Sequence, residues 1–314
     1  MIYIYNLVHH YKLVIKVMEA SGDIVLGMDI GGSHITLALV NMNLQTIIEH
    51  TYYRSYLNTR AKLEPIIDTW VNAINSVFAK ENVDYKRIGM AMPGPFNYEE
   101  GVSFIKDNKK YDALYGHNIK QILAERLNIA TSQIRMFNDA ACFLQGEVFA
   151  GIAKNYTKAI GITLGTGLGT AILSDGVARD ANLWNSDFKE AKAEDYISSR
   201  WFAKRYFELS GINLLDVRSL NEIAAESPVA RAVFKEFSEN LTLFIKQFIE
   251  AEQPEVVVLG GNITKAAAWY LPAVTRALKR YGIDIPVHIS DLKENAALLG
   301  AAGCWQNNGK ILAV

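Results

Sequence analysis

Cysteine is nearly absent from this 314-residue chain: only Cys142 and Cys304 occur, far apart in sequence. That argues against a disulfide framework and for a reducing, cytoplasmic setting. An excess of either charge is missing too, because 32 Lys and Arg face 33 Asp and Glu for a net charge of −1, with no long single-sign run. Nucleic acid and anionic membranes gain no support as partners from such a balance. No apolar run is long enough to span a bilayer. The nearest approach, residues 1–22, is broken by His9, His10, Lys12 and Lys16, and it lacks the basic start and small-residue cleavage site of a signal peptide. We read it as an N-terminal extension with no assigned role. No GxxxxGK[ST] run is present, which excludes a P-loop, and neither a low-complexity segment nor a short repeat occurs.

What is present is half hydrophobic, enough for the cores of two domains. Two glycine-rich turns of one kind stand out. Strand-like Ile24–Ile30 enters Gly31-Gly32-Ser33 and leaves as His34–Val40; strand-like Ala159–Leu164 enters Gly165-Thr166-Gly167 and leaves as Leu168–Leu173. Each reads as a β-hairpin with an open tip, where glycine permits positive φ and close approach of a ligand, and successive N–H groups form an anion nest. A dinucleotide fingerprint instead needs a helix after the turn, and Thr170-Ala171-Ile172-Leu173 is a strand pattern. Asp29 lies just before the first turn. A carboxylate beside a phosphate nest is repulsive unless a cation sits between them, so a nucleotide with magnesium is the simplest ligand.

Along the first half the pattern is strand, turn, strand, then a third strand over Thr46–Tyr53. An apolar stripe of Ile66, Ile67, Trp70, Ala73, Ile74 and Val77 predicts a helix over Leu63–Lys80. A strand ends at Met92 before Pro93-Gly94-Pro95, a helix covers 117–127, and the strand Gln133–Phe137 runs into a helix opened by Asn138-Asp139. The second half starts again with a strand and glycine turn. A mostly helical stretch covers Glu194–Ala251, the strand Glu255–Leu259 ends at Gly260-Gly261-Asn262, and helices over Lys265–Tyr281 and Glu294–Trp305 flank a strand at Val287–Ser290.

These segments resemble the motifs of the ROK family (repressors, open reading frames and sugar kinases) in the actin/hexokinase/Hsp70-like ATPase superfamily. Leu26-Gly27-Met28-Asp29-Ile30-Gly31-Gly32 is similar to its phosphate-1 motif, and Met90-Ala91-Met92-Pro93-Gly94-Pro95 to its strand beside the sugar. Phe137-Asn138-Asp139-Ala140-Ala141 with Gly146-Glu147 is similar to its catalytic helix. Leu164–Gly169 matches phosphate-2, and Val258–Asn262 matches the adenosine motif. The resemblance covers roughly Ile24 to Trp305. It implies an α/β, two-lobed actin-like ATPase (ribonuclease H-like) fold, with a mixed sheet flanked by helices in each lobe and a cleft that closes on ligands. The first lobe would comprise residues 23–138, with a C-terminal helix within 291–314 packing back on it, and the second residues 139–290.

The resemblance implies ATP and Mg²⁺ as ligands, with Asp29 holding magnesium through water. Gly31, Gly32, Gly165, Thr166 and Gly167 would present N–H groups to phosphates, Thr36 and Thr166 hydroxyls, and Gly260, Gly261 and Asn262 the seat of the adenosine. Asp139 would be the general base, and Asn138, Glu194, Pro93 and Gly94 would meet the sugar. Plainer readings stand beside these. Asn138 and Asp139 sit where helix caps are favoured, Glu194 suits the first turn of a helix, Gly260-Gly261 suits a strand–turn–helix corner, and Glu147 is structural.

The chain departs from the family in one corner. Many members carry a one-His, three-Cys zinc site and a G-E-x-G-H segment, but 177–193 contains no His or Cys, so no structural zinc is expected. Leu183, Trp184 and Phe188 would hold this corner by packing, and Trp184, Asn185 or Asp187 would supply replacement sugar contacts. The activity implied is an ATP-dependent sugar kinase, hexokinase/glucokinase-like, phosphorylating a hexose or N-acetylhexosamine hydroxyl. A homodimer is implied by the same likeness. The alternative is a non-catalytic, sugar-sensing ROK-type regulator that lacks a DNA-binding domain.

Overall fold

The computed structural model describes residues 23–107 and 109–306; the N-terminal extension and the last residues of the C-terminal segment lie outside them. The described chain forms two compact units, residues 23–139 with 298–306, and Ala140–Ala297. Among the described residues, no helix is long and apolar enough to cross a membrane.

The first unit is built on a six-stranded sheet. Strands β1 (Ile24–Ile30) and β2 (His34–Asn41) form the glycine hairpin. Beyond β2 lie the short β3 (Thr46–Ile47) and β4 (Tyr53–Tyr56). On the other side β5 (Ile88–Met92) and β8 (Ile134–Asn138) run parallel to β1, and β6 (Phe96–Asn97) with β7 (Val102–Ser103) makes a separate small hairpin. The expected third strand over Thr46–Tyr53 is interrupted: Glu49–Thr51 is a 3₁₀ turn. There the Thr51 hydroxyl donates to the Ile48 carbonyl at 2.6 Å and accepts the Leu39 N–H at 2.9 Å.

Helix α1 (Leu63–Phe78) buries the whole predicted stripe, with Trp70 fully enclosed. Each Ile and Val of the stripe is worth about 1.5–3 kcal/mol on leaving water. Helix α2 (Ile119–Leu127) starts where the Asn118 side chain accepts the Gln121 N–H. Glycines 27 and 89 are paired across β1 and β5. A methyl group on either would lie 2.4 Å from the Leu298 carbonyl oxygen or 1.9 Å from that of Ala301. The paired glycines therefore make the flat seat on which residues 298–302 pack.

The second unit has a five-stranded sheet in the order β11 (Val177–Asp180), β10 (Leu168–Ser174), β9 (Ala159–Leu164), β14 (Val256–Gly260), β15 (Val287–Ile289), and a separate small hairpin of β12 (Asp187–Phe188) with β13 (Ala191–Lys192). Again an antiparallel glycine hairpin is followed by parallel strands. The segment expected to be mostly helical resolves into α4 (Ala193–Tyr196), α5 (Ser199–Ser210), α6 (Val217–Ile223) and the 25-residue α7 (Pro228–Glu252). Gly211, with φ of 72°, ends α5, and the Asp216 and Ser227 side chains cap α6 and α7. Phe202, Phe234, Phe237 and Tyr270 interlock in the core, the Phe202 and Phe237 rings 4.5 Å apart.

Helix α3 (Asp139–Ala150) is buried nearly all round. A methyl group on its Gly146 would meet the Ala296 carbonyl oxygen at 1.9 Å. The last helix, α9 (Asn295–Gly303), is thus divided, its first residues packing on Gly146 and its remainder on Gly27 and Gly89. The single helix expected over Lys265–Tyr281 is instead a 3₁₀ stretch, Asn262–Trp269, followed by α8 (Leu271–Arg280).

Candidate active site

In the first unit the candidate residues converge because parallel strands deliver their C-terminal ends to one edge. Asp29 pairs with Ala91, and Met92 pairs with Asn138. Asp29, the Pro93-Gly94 turn and the Asn138-Asp139 junction therefore follow one another across β1, β5 and β8. Ligands of open α/β sheets bind at such carboxyl ends. Tyr98, which no sequence pattern singled out, knits the edge together: its hydroxyl donates to the Met92 carbonyl at 3.0 Å and accepts from Asn138 Nδ2 at 3.4 Å. A methyl group on Gly94 would lie 3.1 Å from that hydroxyl. Asp139 is the first residue of α3.

At the tip of the first hairpin Gly31 donates its N–H to the His34 carbonyl at 2.9 Å. The N–H groups of Gly32 and Ser33 have no acceptor among the described residues, so these two are the donors the tip offers. Asp29 lies directly opposite Thr36 on the same sheet face; Asp29 is half-buried and Thr36 buried. His34 is exposed, bonded to Ser33 at 3.0 Å and edge-on to Tyr56 at 5.9 Å. Tyr111 is buried beneath the turn and donates its hydroxyl to the Gly31 carbonyl at 2.5 Å. Burial, and then the charge of Asp29, push its phenol far above the ordinary tyrosine range.

The second hairpin repeats the arrangement. Gly165 donates to the Gly167 carbonyl at 3.1 Å, while the N–H groups of Thr166 and Gly167 have no acceptor among the described residues. None of the tip glycines, Gly31, Gly32, Gly165 or Gly167, takes the positive φ their pattern suggests. Glycine serves here by leaving room above the chain. Glu194 uses that room: one oxygen accepts the Leu168 N–H at 2.9 Å and lies 2.5 Å from where a methyl on Gly167 would be, and the other pairs with Arg200. The structure thus places Glu194 on the second glycine turn, at the head of α4. Arg200 was not legible as its partner.

Gly260 ends β14 beside Thr163 of β9. A methyl there would lie 2.3 Å from the Phe143 ring, and one on Gly261 (φ 86°) 2.4 Å from the Leu164 carbonyl oxygen. Packing alone therefore demands both glycines. Asn262 accepts from Lys265 Nζ at 2.7 Å. Glu147 is fully buried, accepting the Ile152 N–H at 3.0 Å and the Ser290 hydroxyl. In the corner over 177–193, Phe188 is buried against Tyr196 and Phe244, Leu183 is partly buried, and Trp184 is exposed beneath Lys192. Asn185 and Asp187 are exposed. Among the described residues no cluster of three or more His, Cys, Asp or Glu is arranged to hold a metal.

The sequence profile of the ROK family matches residues 25–180 and 190–308, and it breaks at this same corner. An N-acetyl-D-glucosamine kinase from Mannheimia succiniciproducens is 24% identical over 285 residues, covering 81% of this chain and 89% of its own length. The fold is similar to that of a ROK hexokinase from Thermus thermophilus, with a TM-score of 0.75, 22% identity and coverage of 89% and 97% of the two chains. It is also similar to a ROK-family glucokinase from Streptomyces griseus solved with glucose and AMPPNP, with a TM-score of 0.71, 19% identity and coverage of 90% and 99%. At these identities the likenesses show the fold alone: α/β, with a mixed sheet flanked by helices in each unit.

Proposed function

The chain belongs to the ROK family, and we propose that it is an ATP-dependent sugar kinase, hexokinase- or glucokinase-like, acting on a hydroxyl of a hexose or N-acetylhexosamine. One observation carries this reading: Asp29, Pro93-Gly94 and Asn138-Asp139 stand at the ends of three adjacent parallel strands within one unit. The N-acetyl-D-glucosamine kinase relative and the hexokinase and glucokinase likenesses support the substrate class.

Phosphoryl transfer asks chiefly for positioning and charge stabilisation, with one group to receive the hydroxyl proton. In this reading Asp139 receives it, fixed in direction by its place at the start of a rigid helix. Asn138, steadied by Tyr98, and the Pro93-Gly94 turn orient the sugar. The N–H groups of Gly32, Ser33, Thr166 and Gly167 meet phosphate oxygens, and Gly261-Asn262 the adenosine. Asp29 fits a magnesium ion, since a half-buried carboxylate beside unused N–H donors would otherwise repel the phosphates those donors attract. Bound there, Mg²⁺ supplies neutralisation of phosphate charge.

The test is coupled ADP release with Mg·ATP over glucose, mannose, fructose, N-acetylglucosamine and N-acetylmannosamine, on the wild type and Asp139→Asn. Sugar-dependent release that vanishes in the variant supports the kinase. Sugar binding by calorimetry without any release favours a sensing regulator instead.

A further inference from the structure

The first glycine turn is covered by a side chain from a distant part of its own unit. A methyl group on Gly32 would lie 2.6 Å from Lys110 Nζ and 3.5 Å from Lys110 Cδ and Cε, so the end of this lysine rests against the turn itself. It is no freely waving surface side chain. The next residue, Tyr111, has left-handed backbone (φ 62°) and is buried to 2% exposure. Its N–H donates to the Thr59 carbonyl at 2.7 Å, its hydroxyl to Gly31, and its ring lies 6.3 Å from that of Trp70. A bulky residue rarely adopts this backbone; here buried contacts hold it there, and the chain bend delivers Lys110 to the turn.

The chemistry at that point favours an oxyanion. Lys110 is half-buried and forms no ion pair among the described residues, while the adjacent Gly32 and Ser33 N–H groups lack acceptors. A cation with two backbone donors on one open turn is a receptor for phosphate oxygen. We propose that Lys110 binds the outer phosphates of the phosphoryl donor at the first glycine turn. The identity of that donor as Mg·ATP rests on the kinase reading above; the role of Lys110 in holding a polyphosphate chain does not.

The experiment is calorimetric titration of the full chain and of Lys110→Ala, Lys110→Met and Lys110→Arg with Mg·ATP, AMP and inorganic tripolyphosphate. Loss of one charge-assisted hydrogen bond should weaken Mg·ATP and tripolyphosphate about tenfold or more in the Ala and Met variants. AMP affinity and melting temperature should stay at wild-type values, and Arg should recover part of the loss. Wild-type affinity for Mg·ATP in Lys110→Ala overturns the proposal, as does a Met variant that binds like wild type, because packing and not charge would then matter. A wild type that binds Mg·ATP through Lys110 but releases no ADP with any sugar sinks the kinase reading and leaves this one standing.

Discussion

Each hairpin tip spends its first N–H inside the turn, Gly31 on the His34 carbonyl and Gly165 on the Gly167 carbonyl, and each leaves the next two unused. The groups filling the space above the glycines differ in sign. Lys110 lies against Gly32, and a Glu194 carboxylate, paired with Arg200, lies against Gly167. A nest with a cation above it attracts anions more strongly. A nest that already holds an internal carboxylate must have that charge moved or neutralised before phosphate can approach. Equal backbones therefore do not make equal sites. The first turn shares its unit with Asp29 and Asp139, and the second with an acid whose charge lies against Gly167 while its oxygen accepts the Leu168 N–H.

The sharpest break of this asymmetry is Asp139→Asn. It should lower kcat by about 10²–10⁴-fold, the usual worth of a general base, while Mg·ATP affinity by calorimetry stays near wild type. Substitutions confined to the second unit should instead act first on stability or on nucleotide affinity.

Glu147→Ala tests that contrast next. It orphans the Ile152 N–H and the Ser290 hydroxyl in a buried place, and should cost about 2–4 kcal/mol in denaturant unfolding. Burial pushes the Glu147 carboxyl up, against the downward pull of the bonds from Ser290 and Ile152. A carboxyl raised in the folded state holds its proton better there than in the unfolded chain. Its contribution is then fullest at low pH and is lost as pH climbs from the ordinary glutamate range, about 4.3, through the raised value. In Glu147→Gln that downward slope should vanish, which unfolding curves across pH would read directly.

Gly261→Ala should cost about 2–3 kcal/mol, since it combines a left-handed φ with a methyl pressed on the Leu164 backbone; thermal melts check it. The smallest effect sharpens the comparison most. Glu194→Gln removes the carboxylate charge lying against Gly167, so Mg·ATP should bind about two- to fivefold more tightly, in keeping with partly exposed ion pairs. Loss of a charge would then have opposite results at the two turns. Unchanged or weaker binding would mean the carboxylate does not oppose phosphate at that turn.

The parts of this molecule legible in the sequence are those governed by neighbours along the chain. The stripe from Ile66 to Val77 marks α1 because its period of 3.6 puts it on one face, and all of it is buried. Apolar runs flanking Gly31-Gly32 and Gly165–Gly167 mark the hairpins. The 3₁₀ turn at Glu49–Thr51 was not legible, because the Thr51 hydroxyl organises it through bonds to Ile48 and to the neighbouring strand. Tyr98 escaped for a similar reason: nothing periodic marks one polar side chain that bridges the Met92 carbonyl and Asn138.

By itself, then, the sequence determined the order of the motifs, the two hairpins and the helix that begins at Asp139, since strand alternation, helical period and glycine turns follow from local backbone sterics. Only the tertiary structure decided what each glycine is for. Gly260 and Gly261 make room for Phe143 and Leu164, Gly27 and Gly89 for a helix, and Gly32 and Gly167 for a lysine and a glutamate. The Tyr111 hydroxyl reaches Gly31 from 80 residues away. Which charge rests on a turn depends on how distant segments pack, and no local pattern encodes that.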